Sequence, residues 1–324
     1  EILIGLVGSE MCIRDRIMQG DKARADYLQK AIGYSLTGDT RMECLFILYG
    51  PTSRNGKGTT MESILRIMGE YGKNADPTML QAKFNSQSGG PSEEIARLAG
   101  SRFVNISEPE KKITLDAALT KRLTGNDTIT ARYLHENSFE FRPNFKIFIN
   151  TNHRPNITDL TLFESGRIKI IPFDRHFEEN EQDKDLKSTF AKPENMSGIL
   201  NWMLEGYKLF RSQGLAMPDS VVQATTDYQI FSDKMGQFFD ECIEEKEGCE
   251  LRRGAVYTRY KEWCGENGYR AEAAKNLNQE IEKRYKTARK RPNDGASSST
   301  TPMVLDVAFT ASEESKEDFA PLTS

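Results

Sequence analysis

The sequence predicts an α/β protein with a parallel sheet, followed by a small winged-helix domain. Three apolar segments, at 44–49, 102–107 and 145–150, have the composition of buried strands, and helical segments separate them. Strands that alternate with helices favour a parallel sheet with helices on both faces. From about residue 236, three short amphipathic helices and a final strand at 303–309 are typical of a winged-helix module.

We divide the chain into five segments by composition and pattern. Residues 1–16 look like a translated sequencing adapter and are set aside, which implies that the natural N-terminus is missing. A short helix and a turn at 17–42 form a collar before the parallel-sheet domain at 43–235. The second domain takes 236–309, and an acidic, serine-rich tail at 310–324 is expected to be disordered.

The bulk composition excludes several classes of protein. The chain has 324 residues, 37% hydrophobic and 28% charged, with a formal net charge of -4. No apolar run is long enough to cross a bilayer and the opening lacks a signal-peptide pattern, so we expect a cytoplasmic protein without a membrane partner. Five cysteines without C-x-x-C spacing and only three histidines do not indicate a zinc site or a disulfide framework.

A glycine-rich loop joins the first predicted strand to an amphipathic helix, and it runs from Gly50 to the pair Gly56 and Lys57. In this context such a loop binds phosphate, because backbone N–H groups at the helix N-terminus and the lysine ammonium surround the anion. The sequence therefore predicts an ATP site. Its candidate residues are Gly50, Asn55, Gly56, Lys57, Gly58, Thr59 and Thr60.

The loop departs from the usual phosphate-binding motif in two ways. About four residues usually separate the first glycine from Gly-Lys, whereas five do here, and Gly58 occupies the position of the usual hydroxyl. A magnesium ion would then be bound by Thr59 or, as the less favoured choice, by Thr60. An ordinary glycine turn between a strand and a helix is the alternative interpretation of the segment.

Two carboxylates, Glu108 and Glu110, follow the second predicted strand. A second ATPase motif at this place would bind magnesium and polarise the attacking water. We favour Glu108 for both roles and keep Glu110 as the second candidate. Solvated acidic residues also commonly follow strands. The spacing of the pair from the lysine of the loop is what supports its assignment to an ATPase motif.

The third predicted strand ends in amides, and an arginine precedes the next one. Asn152 could position water against a γ-phosphate, although Asn-x-Asn before proline is also an ordinary turn. Arg167 could reach the γ-phosphate of a neighbouring subunit as an arginine finger, and an ordinary surface arginine is the alternative.

These motifs occur in an order that resembles the phage and plasmid primase-helicase family. The helicase half of that family belongs to helicase superfamily 3 and is related to the poxvirus primase-helicase. The resemblance covers roughly residues 20–290. It rests on the phosphate loop and on the segments 107–110, 123–132, 139–143, 151–153 and 171–173.

The resemblance implies an AAA+-like P-loop ATPase that hydrolyses ATP with Mg²⁺ and forms a hexameric ring. It also implies translocation on single-stranded or forked DNA during phage or plasmid replication in the bacterial cytosol, with a primase domain N-terminal to this segment. By position, the resemblance assigns Lys57 and Thr59 to the first ATPase motif and Glu108 to the second. It assigns Asn152 to the sensor and Arg167 to the arginine finger.

Two regions are candidates for DNA contact. The family pattern makes the stretch before the sensor strand a pore hairpin, in which Arg132, Tyr133 and His135 would follow phosphates and stack on bases. A basic stretch at 275–291 is a candidate surface for binding DNA phosphates in an otherwise acidic chain. Its candidates are Lys283, Lys286, Arg289, Lys290 and Arg291. A solvated hairpin and a solvated helix face are the alternatives.

The sequence therefore favours a DNA helicase, an enzyme that hydrolyses ATP. The alternative is a DNA-binding or origin-marking protein whose ATP site only controls assembly. ATP turnover that single-stranded DNA stimulates would distinguish the two hypotheses.

Overall fold

The computed structural model of the chain describes residues 16–82, 93–107, 113–290 and 300–310. The chain divides into two compact units, Glu1–Ser232 and Asp233–Ser324. This division lies close to the domain boundary that we place between residues 235 and 236. Within the described ranges, none of the helices is both long and apolar enough to span a bilayer.

The first unit alternates strands and helices along the chain. Its elements are α1 Lys22–Tyr34, β1 Leu45–Tyr49, α2 Lys57–Met68, β2 Gly72–Ala75, α3 Glu93–Ala96, β3 Phe103–Ser107, α4 Ala117–Thr124, β4 Ile129–Ala131, β5 Phe139–Phe141, β6 Lys146–Thr151, α5 Thr161–Glu164, β7 Ile168–Pro172, α6 Leu186–Phe190, α7 Pro193–Gln213 and α8 Asp219–Ser232.

Five strands of this unit form one sheet in the order β2-β3-β6-β1-β7, and every neighbouring pair is parallel. The predicted parallel sheet is therefore confirmed. Strand β1 lies between β6 and β7. Because the three strands are parallel, the loop that follows β1 lies at the carboxyl edge of the sheet. This edge is where ligands bind in open parallel sheets.

The sheet has an apolar core on each face. On one face, the rings of Phe46, Phe148 and Phe103 form a row with centroids 4.8 and 4.9 Å apart, and α1, α2 and α7 cover it. On the other face, isoleucines of the same strands pack against α4 and α8. Because successive strand residues point to opposite faces, the near-continuous apolar runs of the sequence supply both cores.

Helix α1, which we predict as part of a collar, is packed into the first of these cores. Its predicted apolar residues are buried, and it crosses α7 at two glycines. A Cβ at Gly33 would lie 2.2 Å from the backbone nitrogen of Tyr207, and a Cβ at Gly206 would lie 2.2 Å from the carbonyl oxygen of Gln29. Only glycine at both positions lets the two helices approach this closely.

A short antiparallel hairpin, β4 with β5, interrupts the alternation, and it lies in the stretch before the sensor strand where we predict a hairpin. Its strands pair through the register Ile129 with Phe141 and Ala131 with Phe139. The residues between the two strands form the tip of the hairpin.

In its described residues, the second unit contains three helices and a three-stranded antiparallel sheet. Its elements are α9 Lys234–Cys242, β8 Ile243–Arg252, α10 Arg253–Glu266, α11 Ala274–Arg284, β9 Thr287–Lys290 and β10 Thr301–Phe309, with the strand order β8-β10-β9. Strands β8 and β9 are absent from the sequence prediction. Most residues of β8 are charged, so it has no hydrophobic alternation from which a strand could be predicted.

Candidate functional site

The loop that joins β1 to α2 depends on two glycines and one asparagine. Gly56 has φ +86°, a conformation that favours glycine, and it lies immediately before the first residue of α2. A Cβ at Gly50 would lie 2.3 Å from the carbonyl oxygen of Phe173, so a side chain there is excluded. The Nδ2 of Asn55 donates a 2.7 Å hydrogen bond to the carbonyl of Thr52, which folds the loop on itself.

Lys57 is the first residue of α2 and is only 2% exposed. Its ammonium donates to the carbonyl of Gly50 at 3.3 Å and to Oδ1 of Asn152 at 2.6 Å. The contact with Asn152 follows from the sheet, because β1 and β6 pair in parallel up to Tyr49 and Thr151. The structure thus brings together the predicted lysine of the loop and the predicted sensor.

The two threonines of the loop helix differ in their surroundings. Thr60 is buried, and its hydroxyl donates to the carbonyl of Gly56 at 3.0 Å. Thr59 is half-buried and lines the cleft beside Lys57. A Cβ at Gly58 would have no atom within 4 Å, so packing does not require glycine there. Thr59 therefore lies at the cleft while the hydroxyl of Thr60 is bound to the backbone, and the assignment of Thr59 to magnesium stays a prediction.

A cleft of about 550 Å³ opens between the loop and the carboxyl ends of β2, β3 and β6. Its floor is polar, and it includes three asparagines that the sequence argument did not select. The polar residues from these strands and the sensor are Asn74, Asn105, Ser107, Asn150 and Asn152. For Asn105 and Asn150, a polar residue at a buried position of an otherwise apolar strand is the signal that would have found them. Asn74 is exposed in a strand without an apolar pattern and gives no such signal.

Three predicted site residues, Glu108, Glu110 and Arg291, lie outside the described residues. Ser107, which directly precedes Glu108 in sequence, is the last residue of β3 and lines the cleft. The assignment of Glu108 and Glu110 to the second ATPase motif stays a prediction.

Arg167 lies at the amino edge of the sheet, opposite the glycine loop. Its carbonyl accepts a hydrogen bond from the first residue of β1. Its guanidinium forms a 2.6 Å ion pair with Glu43 and donates to the hydroxyl of Thr124 at 2.9 Å. The residue is therefore tied into its own subunit, and its action on a neighbour's phosphate stays a prediction.

A second arginine, Arg175, follows β7 at the carboxyl edge. It forms an ion pair with Glu181 and lies over the ring of Phe177, 5.4 Å from the ring centroid.

The predicted DNA-contact residues of the hairpin are not equally available. The ring of Tyr133 stacks on Phe139 with centroids 5.6 Å apart, and its hydroxyl donates to the carbonyl of Ala96 at 3.0 Å. Arg132 and His135 are exposed. Leu134, which the sequence argument did not select, is 68% exposed at the tip.

The basic stretch of the second unit is partly neutralised within the chain. Lys283 pairs with Glu280 at 2.6 Å, and Lys290 pairs with Glu250. The side chain of Lys286 is 84% exposed and lies 3.9 Å from Asp306. Arg289 on β9 is also exposed, so Lys286 and Arg289 are the more accessible members of this set. The assignment of the stretch to DNA stays a prediction.

Family models match two parts of the chain. Residues 231–311 match the poxvirus D5 protein-like family. Residues 48–167 match a family of unknown function, DUF5906. The first match falls mainly on the second unit and the second on the strands and loops of the first unit.

Two viral relatives, each named "Putative helicase", align with most of the chain. The protein of Acanthamoeba polyphaga mimivirus is 28% identical over 77% of this chain, and that of Frog virus 3 is 26% identical over 78%. This chain spans only 28% and 27% of the length of these relatives.

Among solved structures, the apo A form of the NrS-1 C terminal region aligns with a TM-score of 0.54 at 12% identity. The alignment covers 93% of this chain and 75% of that one. The chain is similar to the helicase part of the primase-helicases. The predicted resemblance is thereby confirmed, and the mixed α/β fold with a parallel five-stranded sheet agrees with it.

Proposed function

We propose that this chain is the ATPase motor of a DNA helicase that translocates on single-stranded DNA. The observation that carries the proposal is the pair formed by Lys57 and Asn152, 2.6 Å apart at the mouth of a glycine loop. The lysine begins a helix after a central parallel strand, which is the arrangement that holds nucleotide phosphates. The helicase names of the viral relatives support the same class of enzyme.

Each residue of the loop has a defined task in this proposal. The backbone N–H groups of residues 55–58 and the ammonium of Lys57 neutralise the β- and γ-phosphates. Asn152 moves its amide from the lysine to the γ-phosphate or to the attacking water when the nucleotide enters. Thr59 and Glu108 are the residues that would hold Mg²⁺, which would supply charge neutralisation at the phosphates.

A second cavity suits the nucleotide base. It has a volume of about 270 Å³ and shares Arg54, Gly56 and Thr59 with the lining of the cleft. Apolar side chains such as Ile64, Phe177 and Trp202 line it. An apolar wall beside a phosphate site favours burial of a flat heterocycle.

The helicase proposal also assigns the remaining parts of the chain. The second unit has the order helix, strand, helix, helix, strand, strand, which supports a winged-helix module that contacts DNA through Lys286 and Arg289. The exposed hairpin tip with Arg132 and His135 would follow the DNA strand inside a hexameric ring. Arg167 would act across the boundary between two subunits.

ATP hydrolysis with and without single-stranded DNA tests the proposal. We expect the wild-type chain to hydrolyse ATP faster when single-stranded DNA is added, and Lys57→Ala to lose this activity. Lys208→Ala is the matched control, because Lys208 is an exposed lysine of the same unit that pairs only with nearby Glu205. ATP binding without hydrolysis, or a hydrolysis rate that DNA does not change, would contradict the motor proposal. Either result would favour a protein whose ATP site controls assembly.

A further inference from the structure

The polar floor of the cleft is built by amides from three neighbouring strands. Asn74 pairs in register with Asn105, and Ser107 pairs with Asn150. Asn150 follows Phe148 by two positions and therefore shares its face of the sheet. The floor thus continues the buried aromatic row toward the carboxyl edge, and it lies beside Lys57 and Thr59.

Two of these amides have an unused oxygen. Asn105 is 4% exposed and Asn150 is 5% exposed. The Oδ1 atom of each is buried and has no hydrogen-bond partner among the described residues. The Nδ2 of Asn105 donates to Oδ1 of Asn74 at 2.9 Å and to Oγ of Ser107 at 2.8 Å, which fixes its orientation. A buried acceptor without a donor destabilises the fold unless a ligand satisfies it.

The chemistry of the two oxygens restricts the ligand. A carbonyl oxygen accepts hydrogen bonds and repels the oxygens of a phosphate, so these two oxygens do not bind the phosphates of the nucleotide. Hydrated Mg²⁺ keeps several of its water molecules and presents their O–H groups as strong donors. Within the described ranges, no group of three or more His, Cys, Asp or Glu residues could hold a metal ion. The side-chain oxygens that the strands contribute to this floor, from Asn74, Asn105, Ser107 and Asn150, are all neutral.

We propose that Asn105 and Asn150 bind the water shell of the Mg²⁺ ion that accompanies the nucleotide. Each Oδ1 accepts a hydrogen bond from a metal-bound water, while Asn74 and Ser107 hold Asn105 in orientation. This inference rests on the proposed ATP site. A neutral outer shell binds the cation weakly by itself, so the ion enters together with ATP rather than before it.

Nucleotide binding at different magnesium concentrations tests the inference without measuring activity. The probe is a fluorescent ATP analogue, titrated in EDTA and at increasing MgCl₂. We expect Asn150→Leu and Asn105→Leu each to need about tenfold more Mg²⁺ for half-maximal tight binding, the size of effect seen when outer-shell partners of a metal are removed. Binding in EDTA stays as in the wild type, because neither oxygen touches the phosphates.

Two further variants control the result. Asn150→Asp has the same shape but adds a negative charge, so it should lower the Mg²⁺ concentration required. Thr120→Val removes another buried oxygen without a described partner, from α4 and away from the cleft, and it should leave the magnesium dependence unchanged. Thermal unfolding without nucleotide checks that every variant folds; if the leucine variants do not fold, the result for Asn150→Asp decides.

An unchanged magnesium dependence in the leucine variants, or a higher Mg²⁺ requirement in Asn150→Asp, would overturn this inference and leave the ATP site intact. A wild-type chain that binds no ATP analogue at any magnesium concentration would overturn the ATP site as well. The two failures are therefore distinguishable.

Discussion

Two lysines of the first unit are equally buried, at opposite edges of the same sheet. Lys57 and Lys146 are each 2% exposed. Lys57 faces the cleft of about 550 Å³ at the carboxyl edge and donates to Gly50 and Asn152. Lys146 begins β6 at the amino edge, donates to the carbonyl of Thr37 and lies 4.4 Å from the centroid of the Tyr34 ring.

The difference between these lysines lies in what each charge can reach. Burial lowers the pKa of Lys146 to about 7, since the packed amino edge gives its charge little solvation. Lys57 opens to a cleft that an anion can enter. A buried lysine suggests function where a ligand has room beside it, so we expect Lys57 rather than Lys146 to act on a ligand.

The largest expected effect separates the two lysines directly. Lys57→Ala should reduce ATP turnover about a hundredfold or more, because one preorganised charge at a reacting phosphate has this size of effect. Lys146→Met, which keeps the length of the side chain, should leave turnover within about threefold, since Lys146 lies at the other edge. Steady-state ATPase rates of both variants check the comparison, and equal losses would contradict it.

Arg167 also lies at the amino edge, so a catalytic effect there requires a second subunit. We expect Arg167→Ala and Lys57→Ala chains to be inactive alone and to recover part of the ATPase activity when mixed, because some interfaces then carry both intact residues. The ATPase rate of mixtures that form joint rings by size-exclusion chromatography is the measurement.

Glu43→Gln is the control for the Arg167 experiment, because it removes the ion pair with Glu43 but keeps the arginine. Its activity should stay close to that of the wild type. An inactive Glu43→Gln chain, together with no recovery in mixed rings, would show that Arg167 supports the fold within its own subunit.

Lys146 predicts a dependence of stability on pH. Its pKa is about 7 in the folded chain, against an ordinary value of 10.5. Between these values the unfolded chain binds more protons, so the free energy of unfolding rises with pH from 7 to 10.5. Below pH 7 both states are protonated and this contribution stays constant at its least favourable value.

Urea unfolding of the wild type and of Lys146→Met, at several pH values above 7, measures this dependence. Lys146→Met should lose the part of the increase in the free energy of unfolding with pH that comes from the lysine. It should also be more stable than the wild type near neutral pH. Lys208→Met, at an exposed position, should retain the rise. The same slope in all three proteins would contradict the role of Lys146 in it.

The smallest expected effect concerns the second unit. Replacing Lys286 and Arg289 by Gln should weaken DNA binding and reduce the slope of affinity against salt by about one unit for each phosphate that is no longer neutralised. Lys283→Gln, which removes a lysine already paired with Glu280, should change the slope less. The measurement is the affinity for single-stranded DNA over a range of salt concentrations. If all variants have the same slope as the wild type, none of the three residues contacts a DNA phosphate.

The sequence supports the prediction of features that depend on local pattern. The parallel sheet follows from apolar runs between helices, and the loop at Gly56 follows from its spacing to Lys57. The meeting of Lys57 with Asn152 also follows, since the carboxyl ends of parallel strands share one edge of the sheet.

Other features depend on contacts between distant segments and leave no local signal. The ion pair of Arg167 with Glu43 and the stacking of Tyr133 on Phe139 exist only in the folded chain. Most residues of strand β8 are charged, so its place in the sheet comes from pairing with β10 rather than from its own pattern. The amides at Asn105 and Asn150 stand out in the sequence only as polar interruptions of apolar strands.

Strand displacement tests the helicase proposal most directly. The wild-type chain is incubated with ATP, Mg²⁺ and a duplex that carries a single-stranded tail of either polarity, and Lys57→Ala is the matched control. We expect release of the displaced strand from one of the two substrates, only with ATP and only by the wild type. Equal release by Lys57→Ala, or ATP hydrolysis without release from either substrate, would contradict the proposal.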